Sequence, residues 1–203
     1  MSFSQRAARG AESGDTRGFT LIESIVVVAI IGLMVAFAVP NFQRARVRAE
    51  MYSQIKLVRQ GVAIARITAI RRARQVIVAT SADTDGAHLV AGIDDDANGD
   101  LAGEEIFGNW VFGTKMNVAN DTSNPLRSVK LDGVTTPGML IRPDGIVWSD
   151  SASDGTGSGA LLLSDPSSNE VRVTVFSGTG TVREEMKVPG TSTWSTDLKY
   201  WRY

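Results

Sequence analysis

The sequence predicts an α+β protein in which one long N-terminal helix, partly membrane-spanning, packs on an antiparallel β-sheet domain. Three observations carry this expectation. Residues 19–39 contain a single ionisable side chain, Glu23; a helical stripe of apolar residues continues toward Arg74; and from Gln75 onward short β-branched runs alternate with turn signals. At about 1.5 Å per residue the first segment makes a helix of roughly 30 Å, the thickness of a bilayer core.

Composition bounds the rest. The chain has 203 residues, 43% of them hydrophobic and 21% charged, with a net charge of -1, which gives no global reason to expect nucleic acid or an acidic partner. There is no cysteine, so disulfides, thiolate metal sites and thiol nucleophiles are excluded. Charge is instead segregated: basic side chains run from Arg44 to Arg74, and acidic ones cluster from Asp83 to Glu105.

On its residues alone the apolar run has three readings. Residues 25–35 followed by Ala36-Phe37-Ala38 suit a secretory signal peptide; the length suits a stop-transfer anchor; and the position of Glu23 suits a helix that both anchors and assembles. Arg6, Arg9 and Arg17 precede the run and Arg44, Arg46 and Arg48 follow it, so charge counting leaves the orientation open. A carboxylate at the centre of a membrane helix costs about 2.5–3.5 kcal/mol, and less near an end. A cut between Gly18 and Phe19 would create an amine one helical turn from Glu23, in its own or a neighbouring chain, and so supply the missing partner.

Gly18-Phe19-Thr20-Leu21-Ile22-Glu23, the apolar run, Pro40 and Phe42 together resemble the class III signal of type IV prepilins and type II secretion pseudopilins. The resemblance implies that a prepilin peptidase cuts after Gly18 and methylates Phe19, that Glu23 guides assembly into a helical fibre, and that Pro40 kinks the helix. It also implies a single-pass inner-membrane protein with its C-terminal domain in the periplasm, later carried into a fibre at the cell surface. The partners it implies are other minor pilins and the major pilin, or the corresponding pseudopilins. The expected segments are a leader at 1–18, an assembly half-helix at 19–40, an amphipathic half-helix at 41–75 and a β-rich domain at 76–203.

Within the second half-helix, Val47, Met51, Ile55, Val58, Val62, Ala65 and Ala69 recur every three or four residues and mark its buried stripe. The arginines fall on the other faces, where solvent, lipid headgroups and acidic neighbours are their expected surroundings. A helix from Phe19 to Arg74 would be roughly 84 Å long, so its first half must project, with a kink or local melting at Pro40. A projecting apolar half-helix with its second half packed on a domain is the pilin lollipop that the resemblance implies.

Strands are expected near Gln75–Thr80, His88–Ile93, Trp110–Phe112, Ser128–Leu131, Met139–Arg142, Ile146–Trp148, Ala160–Ser164, Val171–Phe176 and Thr181–Val188. Pro143-Asp144-Gly145 reads as a hairpin turn, and Asp150–Gly159 as a Ser/Gly/Asp loop. The Arg-rich helix end, the Ile141–Gly145 strand-turn and a closing hairpin around Gly178-Thr179-Gly180 resemble GspH/FimT-type minor pilins.

Two further stretches suggest ligands. Asp94, Asp96, Asn98, Asp100 and Glu105 fit the spacing of a calcium loop around Gly99, but strand-like flanks favour a plain acidic turn over calcium. FimT-like pilins that bind DNA carry a Gly-Arg-x-Arg motif; here Gly180-Thr181-Val182-Arg183 keeps one arginine and is followed by Glu184 and Glu185, which disfavours a DNA role. No enzyme is expected: the one histidine, His88, is placed as a surface strand residue, and no triad, zinc motif or phosphate loop accompanies it. Trp194, Tyr200, Trp201 and Tyr203 are expected to cap the core. The expected function is a minor pilin of the priming or tip complex of a type IV pilus. The alternatives are a minor pseudopilin of a type II secretion system, a DNA-binding pilin for transformation, and a soluble domain released after Ala38.

Overall fold

The computed structural model describes residues 20–84, 86–113, 116–151, 156–166, 168–188 and 190–197. The chain divides into two compact units, Met1–Gln43 and Arg44–Tyr203, and one helix, α1 (Leu21–Arg72), contributes to both.

In the first unit the apolar residues of α1 are exposed, Leu21 at 82% and Phe37 at 69%, and the segment is long and apolar enough to cross a membrane. The helix runs unbroken through Pro40, so the melted turn expected there does not form. Proline removes one amide donor from the preceding turn. Asn41 adds a side-chain donor to that turn, Nδ2 to the Phe37 carbonyl at 3.3 Å.

In the second unit the stripe on α1 is buried from Met51 onward, with Met51, Ile55, Val58, Val62, Ala65 and Ala69 all at most 3% exposed, while Val47 at its expected start is only half-buried. They share one core with two antiparallel sheets. The first sheet is ordered β3-β2-β1-β6-β5, from β1 (Gln75–Asp83), β2 (Gly86–Asp94), β3 (Ile106–Val111), β5 (Arg127–Leu131) and β6 (Val134–Ile141), with β7 (Val147–Trp148) paired to β6. The second is ordered β11-β10-β9-β8-β4, from β4 (Asn117–Asn120), β8 (Ser158–Ser164), β9 (Glu170–Phe176), β10 (Val182–Lys187) and β11 (Trp194–Ser195). Val76, Val78, Met139 and Ile141 of the first sheet and Leu161, Leu163, Val171, Val173 and Val175 of the second enclose the helix stripe.

β6 starts five residues before its expected position and accommodates Pro137. Proline fits because β6 pairs with β1 only from Gly138 onward, so no ladder hydrogen bond to β1 is asked of residue 137. Asp132 and Gly133, both with positive φ, turn β5 into β6. His88 is buried at 5% exposure, not on the surface, with Nδ1 3.0 Å from Asn109 Oδ1 on the neighbouring strand.

Helix and sheets are also joined by a single guanidinium. Arg66 donates from Nε to the Gly145 carbonyl at 2.9 Å and from Nη1 to the Thr179 carbonyl at 3.0 Å, so the β6–β7 and β9–β10 turns both hang from it. Arg66→Ala is expected to lower stability by about 1–2 kcal/mol in a thermal melt. Lysine at 66 should restore only part of that, because an ammonium does not present the two-pronged fork.

Candidate functional site

Gly18 and Phe19 lie outside the described residues. Immediately after them, Thr20 caps α1: its Oγ1 accepts the Glu23 backbone N–H at 3.2 Å, and its carbonyl accepts the Ser24 N–H at 3.2 Å. Thr20-x-x-Glu23 thus has the spacing of a capping box, with the threonine half formed. Glu23 stands in the first turn, where the partial positive charge of the helix N-terminus favours a carboxylate. Around it Leu21, Ile22 and Ile25 are 82%, 71% and 60% exposed, so Glu23 is the one charge in a largely apolar surface that also carries the Thr20 and Ser24 hydroxyls. Such a segment offers one charge, fixed in direction by its helix, to a cationic partner. The sequence reading found Glu23 but missed Thr20, although the Thr-x-x-Glu spacing was there to be read.

The acidic loop after β2 follows a different plan from the calcium pattern. Asp94, Asp96 and Glu104 bring carboxylate oxygens within 4.8 Å of one another, while Glu105 faces Arg72 at 3.5 Å. Asp94 is 1% exposed, and it accepts the N–H groups of Asn98 at 3.1 Å and Gly99 at 3.0 Å and the Gln75 Nε2 at 2.6 Å. Asn98 bonds Asp96 through Nδ2 and the Asp100 N–H through Oδ1, and Asp100 Oδ1 accepts the N–H groups of Ala102 and Gly133. The Asp94, Asp96 and Asp100 carboxylates each accept hydrogen bonds that fold the loop.

The loop then acts as a strap. Lys130 N–H donates to the Gly99 carbonyl at 3.0 Å, Leu101 N–H donates to the Lys130 carbonyl at 3.2 Å, and Leu101 is buried on Ile77, Ala79 and Val129. A calcium site with a Kd of about 1 mM would add about 1 kcal/mol of stability at 5 mM calcium. The plain-turn reading predicts a melting shift below about 1 °C under those conditions. A larger shift that disappears in Asp96→Ala would establish a metal site instead.

Arg183 is exposed and lies 2.5 Å from Glu185, while Glu184 pairs with Arg59. The charge a phosphate would need is already offset there. Trp194 does not cap the apolar core as expected; it is half-buried on edge strand β11, with the Arg172 guanidinium 4.3 Å from its ring centroid. Tyr200, Trp201 and Tyr203 lie outside the described residues.

The capped, single-acid apolar helix coincides with a known segment: residues 15–39 match the prokaryotic N-terminal methylation motif. This N-terminal segment is therefore similar to the processed and methylated start of type IV pilin-like proteins. Over 34 residues it is 56% identical to the type IV major pilin protein PilA of Myxococcus xanthus (strain DK1622), a match covering 17% of this chain and 16% of that protein. The chain thus spans about a sixth of the length of that relative. The minor pseudopilin EpsH from the Type 2 Secretion System of Vibrio cholerae aligns over 70% of this chain and 99% of its own, at 15% identity and a TM-score of 0.43.

Proposed function

We propose that the chain is a minor pilin with a GspH/FimT-like domain, stored in the inner membrane and drawn into the priming or tip complex of a type IV pilus. The supporting observation is the methylation-motif segment whose helix is capped by Thr20 and carries Glu23 as the acid of its first turn. In this reading a prepilin peptidase cuts after Gly18 and methylates Phe19. The new amine then meets Glu23 of its own or a neighbouring subunit, the domain faces the periplasm, and other minor pilins and the major pilin are the lateral partners. The role is structural.

Intact-mass and N-terminal analysis of the mature protein tests the processing step: a methylated Phe19 terminus is expected, and a Val39 terminus would overturn the reading. Deleting the gene is expected to abolish pili and leave protein secretion intact. The reverse outcome would assign the subunit to a type II secretion pseudopilus.

A further inference from the structure

The face of the first sheet that points away from the helix stripe carries a groove of about 460 Å³, with Trp148, Arg127, Lys130, Gln75, Asn98 and Gly99 among its walls. Strand parity puts it there. Val147 enters the main core, so Trp148 turns to the other face, opposite Leu140 in the β6–β7 register. Arg127, the first residue of β5, is held beside it because its N–H donates to the Ser149 carbonyl at 2.8 Å.

Two guanidiniums converge on the indole. Arg127 lies 5.5 Å and Arg142 5.4 Å from the Trp148 ring centroid, within cation–π range. Arg142 is neutralised by Asp144 at 3.1 Å. Among the described residues, no carboxylate pairs with Arg127 or Lys130. One wall of the groove thus presents unneutralised cationic donors. The facing wall is the strap, with the exposed Asn98 carboxamide beside the Asp96 carboxylate and the Gly99 backbone.

Asn98 Oδ1 and the Gly99 carbonyl each already accept one backbone N–H and keep a second lone pair, so a ligand can accept hydrogen bonds from the cationic wall and donate to the strap. Phosphodiester backbones of DNA carry the same charge per unit as a uronate chain but offer acceptors only, and so leave the strap without a donor. Base stacking also requires a free aromatic face, whereas cations already sit at the Trp148 ring. Uronic acids carry a carboxylate for Arg127 and Lys130 and hydroxyl donors for the strap. We propose that this groove binds an acidic polysaccharide through its uronate units, with Arg127 and Lys130 holding the carboxylate and Trp148 keeping the Arg127 guanidinium in place. The inference is independent of the proposed pilin role.

Calorimetric titration of the full chain in detergent micelles with tetragalacturonate, at about 50 mM salt, tests it. A Kd on the order of 0.1–1 mM is expected. Binding should weaken at least about tenfold in the Arg127→Gln/Lys130→Gln double variant, and by a similar factor for the carboxyl-reduced, neutral tetrasaccharide. Arg183→Gln, outside the groove, should bind like the parent. The neutral-sugar comparison needs no substitution, so it holds even if the double variant melts early. The proposal is overturned by no heat up to about 10 mM ligand, by equal affinity for the neutral sugar, or by unchanged binding in the double variant. Tighter binding of single-stranded oligothymidylate, lost in the double variant, would overturn it in favour of nucleic acid.

Discussion

Glu23→Ala is expected to reduce the subunit's incorporation into fibres at least about tenfold while leaving cleavage after Gly18 and methylation of Phe19 in place. The expectation rests on separating two things the residue does. Its backbone N–H bonds Thr20 Oγ1, and alanine keeps that bond, so the helix start survives the substitution. Its carboxylate is the one charge among residues 20–43, and an unpaired acid in a membrane costs about 2.5–3.5 kcal/mol at a helix centre and less near an end. In the proposed role, pairing with the terminal amine of a neighbouring subunit would recover that cost in the assembled state, and about 1.4 kcal/mol already gives a factor of ten. Glu23→Gln separates charge from shape: it should match alanine, because glutamine keeps the length and loses the charge. Immunoblots of sheared fibres against whole-cell protein supply the readout. Undiminished incorporation of either variant would remove the pairing mechanism.

The second large effect is expected from one methyl group. A Cβ at Gly138 would lie 2.4 Å from the Val78 carbonyl oxygen and 2.4 Å from Val129 Cγ2. Gly138 sits where β6 is flanked by both β1 and β5, opposite Ala79 and Arg127, so backbone hems it in. A flexible side chain could give way, but a ladder carbonyl cannot move without breaking strand pairing. Gly138→Ala is therefore expected to cost about 2–4 kcal/mol, a large part of an ordinary domain's stability. The melting temperature of the domain should fall by roughly 6–12 °C. Gly99→Ala is a useful contrast: its Cβ would meet nothing within 4 Å, so only the strain of a φ of +82° should register there.

The sequence foretold the fold where local chemistry decided it. The α1 stripe could be read because each buried residue is separated from the next by one helical turn, and the β6–β7 turn because Gly145 takes the positive φ that its type permits. β4 escaped notice: Asn117–Asn120 has a single β-branched residue and becomes a strand only through its pairing with β8. His88 was misplaced for a related reason. Strap and helix cover opposite faces of the first sheet, so β2 is buried almost throughout and carries no alternation to read.

The candidate sites divide along the same line. Glu23 is legible because its oddity is local, a charge within an apolar run. The acidic loop has the spacing of an ion loop, yet which carboxylates converge depends on where β3 begins, and that sets Glu104 inward and Glu105 onto Arg72. The convergence of Arg127 and Arg142 on Trp148 joins three separate stretches of chain, and no spacing rule announces it.

Within the domain, the buried stripe of α1 has a mechanical meaning. A force drawing the domain's part of α1 along its own axis would load a buried stripe that runs from Met51 to Ala69. Such a load shears many side-chain contacts at once, where a pull on a strand edge would unzip hydrogen bonds one after another. Arg59 on Glu184, Arg66 on its two turn carbonyls, and Arg72 and Arg74 on the strap are cross-ties spaced along that same axis. The segregated charge of the sequence thus becomes a row of rivets between the helix and the strands and loops packed on it.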